Sequence, residues 1–238
     1  FIALRGVDGN GESFQRKVRY EPTLYVPSHK KSNWKTLDGK KVSPVKWGSM
    51  KEAKEAMRDY GENVYGPEQF QYPFISDNYP GMIDYDLSKI KIAYIDIETS
   101  SEFGFPNIRL ANEEVLAISI KMGDDFKVYA CGNYDPPQNV RYIRSPNEEM
   151  MLTEFVKDWS ENYPDIVTGW NTRFFYIPYL VNRTNNILGP AWVKKFSPWG
   201  MIDYKQITRR GKQEDVYDIK GIQVLDYLEP VSYTHLRA

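Results

Sequence analysis

Two residue types that carry much protein chemistry are nearly missing. Cys131 is the lone cysteine, so no disulfide can form within the chain, and a reduced, cytosolic setting is expected. His29 and His235 lie far apart in sequence, which argues against a histidine-rich metal site and against a Ser-His-Asp triad. No apolar run approaches the about 20 residues of a membrane span, and no signal peptide is recognisable. Charge is missing in sum: 31 Lys and Arg against 32 Asp and Glu leave a formal net charge of −1 over 238 residues. Any hold on a polyanion must therefore come from a local basic face. The chain opens at Phe1, without methionine and inside strand-like sequence, and is expected to be a fragment at its N-terminus.

What is present is enough for one large domain or two ordinary ones, at 41% hydrophobic residues. Aromatics reach 15%, with 18 Tyr, a supply that suits base stacking as well as packing. Up to about Asp86, Lys17–Tyr20 and Leu24–Val26 are strand-like, and Asp8-Gly9-Asn10-Gly11 has the composition of a hairpin turn. Ser49-Met50-Lys51-Glu52 is a capping box for a helix to about Tyr60, with Met50, Ala53 and Met57 on one face. Between Lys30 and Lys46, six lysines accompany only Asp38, which predicts a solvated loop face or a nucleic-acid contact. The Pro, Gly, Asn and Asp of Tyr72–Leu87 predict a connection between two units.

The second unit alternates strands and helices. Strands are expected to Glu98, over Val115–Lys121 and Phe126–Ala130, over Asp165–Asn171, and over Ile222–Tyr227. Ser145-Pro146-Asn147-Glu148 predicts a capped helix to about Tyr163, whose inner stripe is Met151, Leu152, Phe155, Val156 and Trp159. Another helix is expected from Tyr176–Pro178 toward Asn186. Ile202–Arg209 and Val216–Ile219 flank a turn at Arg210–Gln213. Together these elements predict a mixed α/β sheet.

Within the run KIKIAYIDIET, Asp96 and Glu98 stand two apart, so a strand points both the same way. Neighbouring like charges repel, so something positive is expected between them. The pair has three readings: a solvated strand end, a general acid and base, or a divalent-cation site of the phosphoryl-transfer kind. Ile90, Ile92 and Tyr94 share its alternation, so it is expected where a buried face ends.

YIDIET resembles the first motif of the DnaQ-like 3′→5′ exonucleases, of ribonuclease H-like fold. Trp170-Asn171-Thr172-Arg173-Phe174-Phe175-Tyr176-Ile177-Pro178-Tyr179 resembles the second motif of family B DNA polymerases, G-(W/Y)-N-x-x-x-F-D-x-P-Y. The segments FISDNYPGMIDYDLSKIKIAYIDIET, Phe105-Pro106 and GIQVLDYLEP look like those of the enzymes from T-even-type bacteriophages. The likeness covers most of the chain and is weakest before residue 50.

The resemblance implies an α/β, ribonuclease H-like mixed-sheet exonuclease domain over 87–230, incomplete, preceded by a smaller α+β N-terminal domain over 1–86. Residues 231–238 depart from the family pattern and are expected to be a non-native tail. By resemblance, Asp96 and Glu98 are catalytic and ligate two divalent ions, Mg²⁺ or Mn²⁺, at the scissile phosphate. Asn171 contacts the terminal nucleotide, Phe105 stacks on the unpaired end, and Phe175 joins them in binding substrate. The turn at Arg210–Gln213 helps part primer from template. Implied partners are a DNA primer-template and its single-stranded 3′ end, RNA through the N-terminal domain, and a sliding clamp for the full-length protein, in the cytoplasm of an infected bacterium and away from any membrane.

The sequence departs from this family in two ways. Tyr176 stands where the second motif carries a metal-binding aspartate, and no Tyr-x-x-x-Asp third motif or D-T-D polymerase motif occurs. A phenol is neutral near pH 7, with a pKa of about 10. The expectation is therefore a polymerase fragment that cannot polymerise and whose nuclease is crippled. The alternatives are a free-standing DnaQ-like exonuclease and a non-catalytic single-stranded nucleic-acid-binding module.

Overall fold

Short apolar runs broken by Gly, Pro and Asn give this chain its many strands. A computed structural model describes residues 1–82, 86–102, 104–209 and 211–228. The chain divides into two compact units, Phe1–Asp86 and a second starting at Leu87. The tail at 231–238 lies outside the described residues.

In the first unit, β1 (Ile2–Val7) pairs antiparallel with β2 (Ser13–Val18). Asp8 closes their turn by accepting from the backbone N–H groups of Asn10 and Glu12, each at 2.9 Å. The strand expected at Lys17–Tyr20 thus starts and ends earlier. β3 (Thr23–Pro27), β4 (Trp34–Lys35) and β5 (Lys41–Lys46) form a sheet in the order β3-β5-β4. The lysine-rich segment is therefore partly sheet and not simply a loop: Val42 is buried, while Lys40 pairs with Asp38 and Lys46 with Glu21.

Helix α1 (Met50–Tyr60) begins where its cap requires, Ser49 accepting from the Glu52 N–H. Ala53 lies with Leu24, Val64 and Phe70 in a small core, and Met50 and Met57 pack against it. The predicted connection instead contains α2 (Gln71–Asn78). Pro73 sits in its first turn, where a missing N–H leaves no helical bond unmade, and Phe74 is buried.

In the second unit, β6 (Ile92–Thr99), β7 (Val115–Met122), β8 (Asp125–Ala130), β9 (Arg141–Arg144), β10 (Ile166–Gly169) and β13 (Gln223–Asp226) form one sheet in the order β13-β10-β6-β7-β8-β9. β6 runs parallel to β10 and antiparallel to β7. This is a mixed sheet of ribonuclease H-like type, with β6 in its middle.

The core packs α3 (Glu148–Glu161) and α4 (Ile177–Leu188) on one side of the sheet. The α3 stripe Met151, Leu152, Phe155, Val156 and Trp159 is wholly buried, as its spacing requires. The cap, however, is Asn147, which accepts from the Met150 N–H at 2.9 Å, and not Ser145. Ser145 bonds Glu154 instead, and Glu148 is drawn to Arg183, with guanidinium nitrogens 2.8 and 2.5 Å from its carboxylate oxygens.

A short α5 (Pro190–Val193) follows α4. β11 (Ile202–Arg209) and β12 (Lys212–Ile219) then form an antiparallel hairpin in register from Ile202–Ile219 to Arg209–Lys212. The second strand begins at Lys212, not Val216, so the turn is tighter than expected. Arg210 itself lies outside the described residues.

Candidate active site

β6 delivers the two carboxylates. Ala93, Ile95 and Ile97 are buried on its helix side, while Tyr94, Asp96 and Glu98 are exposed on the other. The strand period thus holds Asp96 and Glu98 together on an open face. The expectation that Tyr94 shares a buried face with them is wrong: Tyr94 is 57% exposed, because the helices cover the opposite alternation.

The neighbouring strand must come very close. A Cβ on Gly169 would lie 2.3 Å from the Ile95 carbonyl oxygen and 2.7 Å from the Thr172 hydroxyl, so only glycine fits beside this stretch of β6. The chain then turns at Asn171, whose φ of 61° is left-handed, a conformation asparagine tolerates well. A π-helical turn over Thr172–Tyr176 follows, both Phe175 and Tyr176 N–H groups donating to the Asn171 carbonyl.

Asp226, at the end of β13, holds this turn. It is 4% exposed and accepts from the backbone N–H groups of Asn171 (3.1 Å), Arg173 (2.9 Å) and Leu228 (2.9 Å). Sequence reasoning missed it. The available signal was an aspartate inside the otherwise apolar segment GIQVLDYLEP.

The turn brings Tyr176 close to the carboxylates. Burial pushes the phenol pKa up, and the neighbouring Asp96, with the charges of Glu98 and Asp226, pushes the same way. Tyr176 is therefore a neutral phenol. Phe105, 81% exposed, stands with its ring centroid 5.3 Å from that of Phe175, which is itself 5.9 Å from Tyr176. The structure thus gathers Asp96, Glu98, Tyr176, Phe175 and Phe105 in one place, with Asn171 heading the turn that carries Phe175 and Tyr176.

Residues 38–234 match the family described as DNA polymerase family B, exonuclease domain. The chain belongs to that family. This family B exonuclease domain is 33% identical over 259 residues to the DNA-directed DNA polymerase of Enterobacteria phage T4, and 28% identical over 261 residues to that of Escherichia phage RB69. Each match covers 96% of this chain and 29% of the relative, so the chain spans under a third of those proteins' length. A shorter match, 30% identical over 104 residues, covers 40% of this chain and 10% of the DNA polymerase catalytic subunit of Human herpesvirus 8.

Family B exonuclease domains are generally metal-dependent, and the donor set here can be tested against that need. Among the described residues, no group of three or more His, Cys, Asp or Glu side chains could hold a metal ion. Asp96 and Glu98 supply two anionic ligands, but the phenol beside Asp96 adds no charge. These residues do not fit a two-ion centre. Among the described residues, no helix is long and apolar enough to cross a membrane.

Proposed function

We propose that this chain is the N-terminal and exonuclease portion of a replicative phage DNA polymerase, and that it captures a single-stranded 3′ end of DNA without efficiently hydrolysing it. The observation that carries this reading is the step from Phe105 through Phe175 to Tyr176 and Asp96. An exposed aromatic ring offers a stacking surface that any terminal base can use. The turn headed by Asn171 gives polar contact beside it. Asp96 and Glu98 lie where a scissile phosphate would come to rest, but Tyr176 leaves them short of charge for the two divalent ions the family would use. Hydrolysis would be about 100-fold or more below that of a complete site. In the full-length protein the domain would serve 3′→5′ proofreading of a primer on its template, with a sliding clamp as partner, in the infected host cell.

The test is equilibrium binding of a single-stranded oligonucleotide carrying a fluorescent base analogue at its 3′ end. Quenching of that base by the chain is expected, and Phe105→Ala should remove most of it. Equal quenching when the analogue is moved to the 5′ end would contradict capture of a 3′ terminus.

A further inference from the structure

One face of α4 is given over to a single loop, which it holds by backbone atoms. Tyr179, Asn182, Arg183 and Asn186 share this face at spacings of three and four. Each donates to carbonyls of the loop that follows Phe105: Tyr179 to Glu113 (2.7 Å), Asn182 to Ile108 (2.8 Å), Arg183 to Ala111 (3.1 Å) and Asn112 (2.9 Å), and Asn186 to Leu110 (2.8 Å). The Arg183 guanidinium is aimed by its fork on the Glu148 carboxylate, and both side chains are nearly buried. The loop also closes on itself. Asn107 accepts from the Arg109 and Leu110 N–H groups through its side chain, and from the Ala111 N–H through its carbonyl. Ala111 is wholly buried with a φ of 41°, a left-handed conformation that a side chain disfavours and that persists only where its surroundings impose it.

Only Pro106, which is buried, stands between this closed turn and Phe105. The same helix continues directly from the π-helical turn that carries Phe175. Thus α4 fixes both rings of the pair, one through its own chain and one through the carbonyls it holds. Tyr179 belongs to both routes: its hydroxyl takes the loop, and its ring centroid lies 5.5 Å from that of Phe175. We propose that Asn182, Arg183 and Asn186 are positioning residues that preset Phe105 against Phe175, so that a terminal base meets a stacking surface already formed. Binding is then spared the entropy of ordering the loop. The proposal rests on the reading of Phe105 as the capture surface. It adds a demand of its own: these α4 side chains set the preference for a base at the 3′ end, and they do so only through Phe105.

The experiment uses the 238-residue chain and two single strands labelled at the 5′ end, with affinity read by fluorescence anisotropy. One strand ends in an intact 3′ nucleotide and the other in an abasic one. The parent should prefer the intact end by about tenfold, and Phe105→Ala should remove most of that preference. Asn182→Asp loses the donor to Ile108 but keeps the acceptor that Tyr217 uses, and Asn186→Ala loses the donor to Leu110. Asn186→Ala alone should lower the preference by about twofold, because the remaining donors still hold the loop. The two together should lower it by about fivefold and leave binding of the abasic strand within about twofold. Arg183→Lys, which keeps a charge beside Glu148 but loses the fork, should lower the preference further in that double variant. With Phe105→Ala already present, none of these substitutions should change the preference. Amide hydrogen exchange reads release of the loop apart from loss of the fold: exchange at Ala111 should quicken in the double variant while the β6 amides stay protected.

A double variant that keeps the parent's preference would overturn the proposal. So would equal losses on both strands, or a further loss in the Phe105→Ala background, since either means that these side chains act by another route. If the double variant loses protection in β6, Asn186→Ala decides alone, because its acceptor Leu110 is exposed and its removal leaves no buried group unpaired. Its loss must then appear in the parent background and vanish beside Phe105→Ala. Phe105→Ala also separates this failure from that of the underlying reading. If it leaves the preference intact, the capture surface is wrong and the presetting falls with it. If it removes the preference while the α4 variants do not, only the presetting is lost.

Discussion

Tyr176 sets a neutral phenol beside Asp96, at the position where the sequence resemblance implies an aspartate. Replacing this neutral phenol by a carboxylate adds a hard anionic ligand beside Asp96. Tyr176→Asp is therefore expected to tighten Mn²⁺ binding by about tenfold or more, measured by calorimetric titration, and adding Asp96→Asn should abolish the gain. Unchanged affinity in Tyr176→Asp would mean that the phenol is not what limits the site. Asp226 acts on the same turn from beneath. Removing its carboxylate leaves three backbone N–H groups without their acceptor, so Asp226→Ala should cost about 3 kcal/mol in urea unfolding, and Asp226→Asn less. These two residues differ in how far sequence reveals them. Asp96 and Glu98 are legible because spacing alone puts them on one strand face, and Tyr176 is legible as a departure from a motif. Asp226 is not, because its partners Asn171 and Arg173 lie 55 and 53 positions away and offer only backbone atoms.

At the scale of elements, the site depends on how closely β10 approaches β6. Gly169→Ala should destabilise by about 3 kcal/mol, because the first obstacle its Cβ meets is the Ile95 backbone, which cannot rotate away as a side chain would. Thermal unfolding would measure it, and a shift no larger than that of a surface substitution would refute the close contact. The same scale shows where local signals mislead. Ser145-Pro146-Asn147-Glu148 offers two cap candidates, and local rules favour the serine because a glutamate follows three positions later. Asn147 wins because Glu148 is claimed by Arg183 and by the Val115 N–H, partners that only the folded sheet brings near. Likewise the turn-forming residues of Tyr72–Leu87 conceal α2, since burial of Phe74 outweighs them. The inner stripe of α3 and the β6 alternation are legible because a long periodic pattern outlasts such competition.

At the scale of the whole molecule, the Arg109–Asp215 ion pair ties the β11–β12 hairpin to the loop that carries Phe105. The Arg109 guanidinium beside Asp215, helped by Tyr204 and Gln206, holds the Asp215 carboxyl down at about 2, against about 3.9 in an unfolded chain. Because the folded value is depressed, the stability from this bond is fully present above about pH 4 and is lost as pH falls toward 2. Carboxyl titration by NMR should show Asp215 protonating near pH 2 in the parent and at a higher pH in Arg109→Ala. A parent value near 4 would mean that the hairpin is not tied to the loop in solution.

If the chain holds a DNA end but lacks the charge to cut it, incubation with a labelled single-stranded oligonucleotide and Mn²⁺, under conditions where binding is saturated, will reveal both properties together. The oligonucleotide should stay bound and full length. Stepwise release of 3′ nucleotides that disappears in Asp96→Ala would show instead that the site is competent to cut.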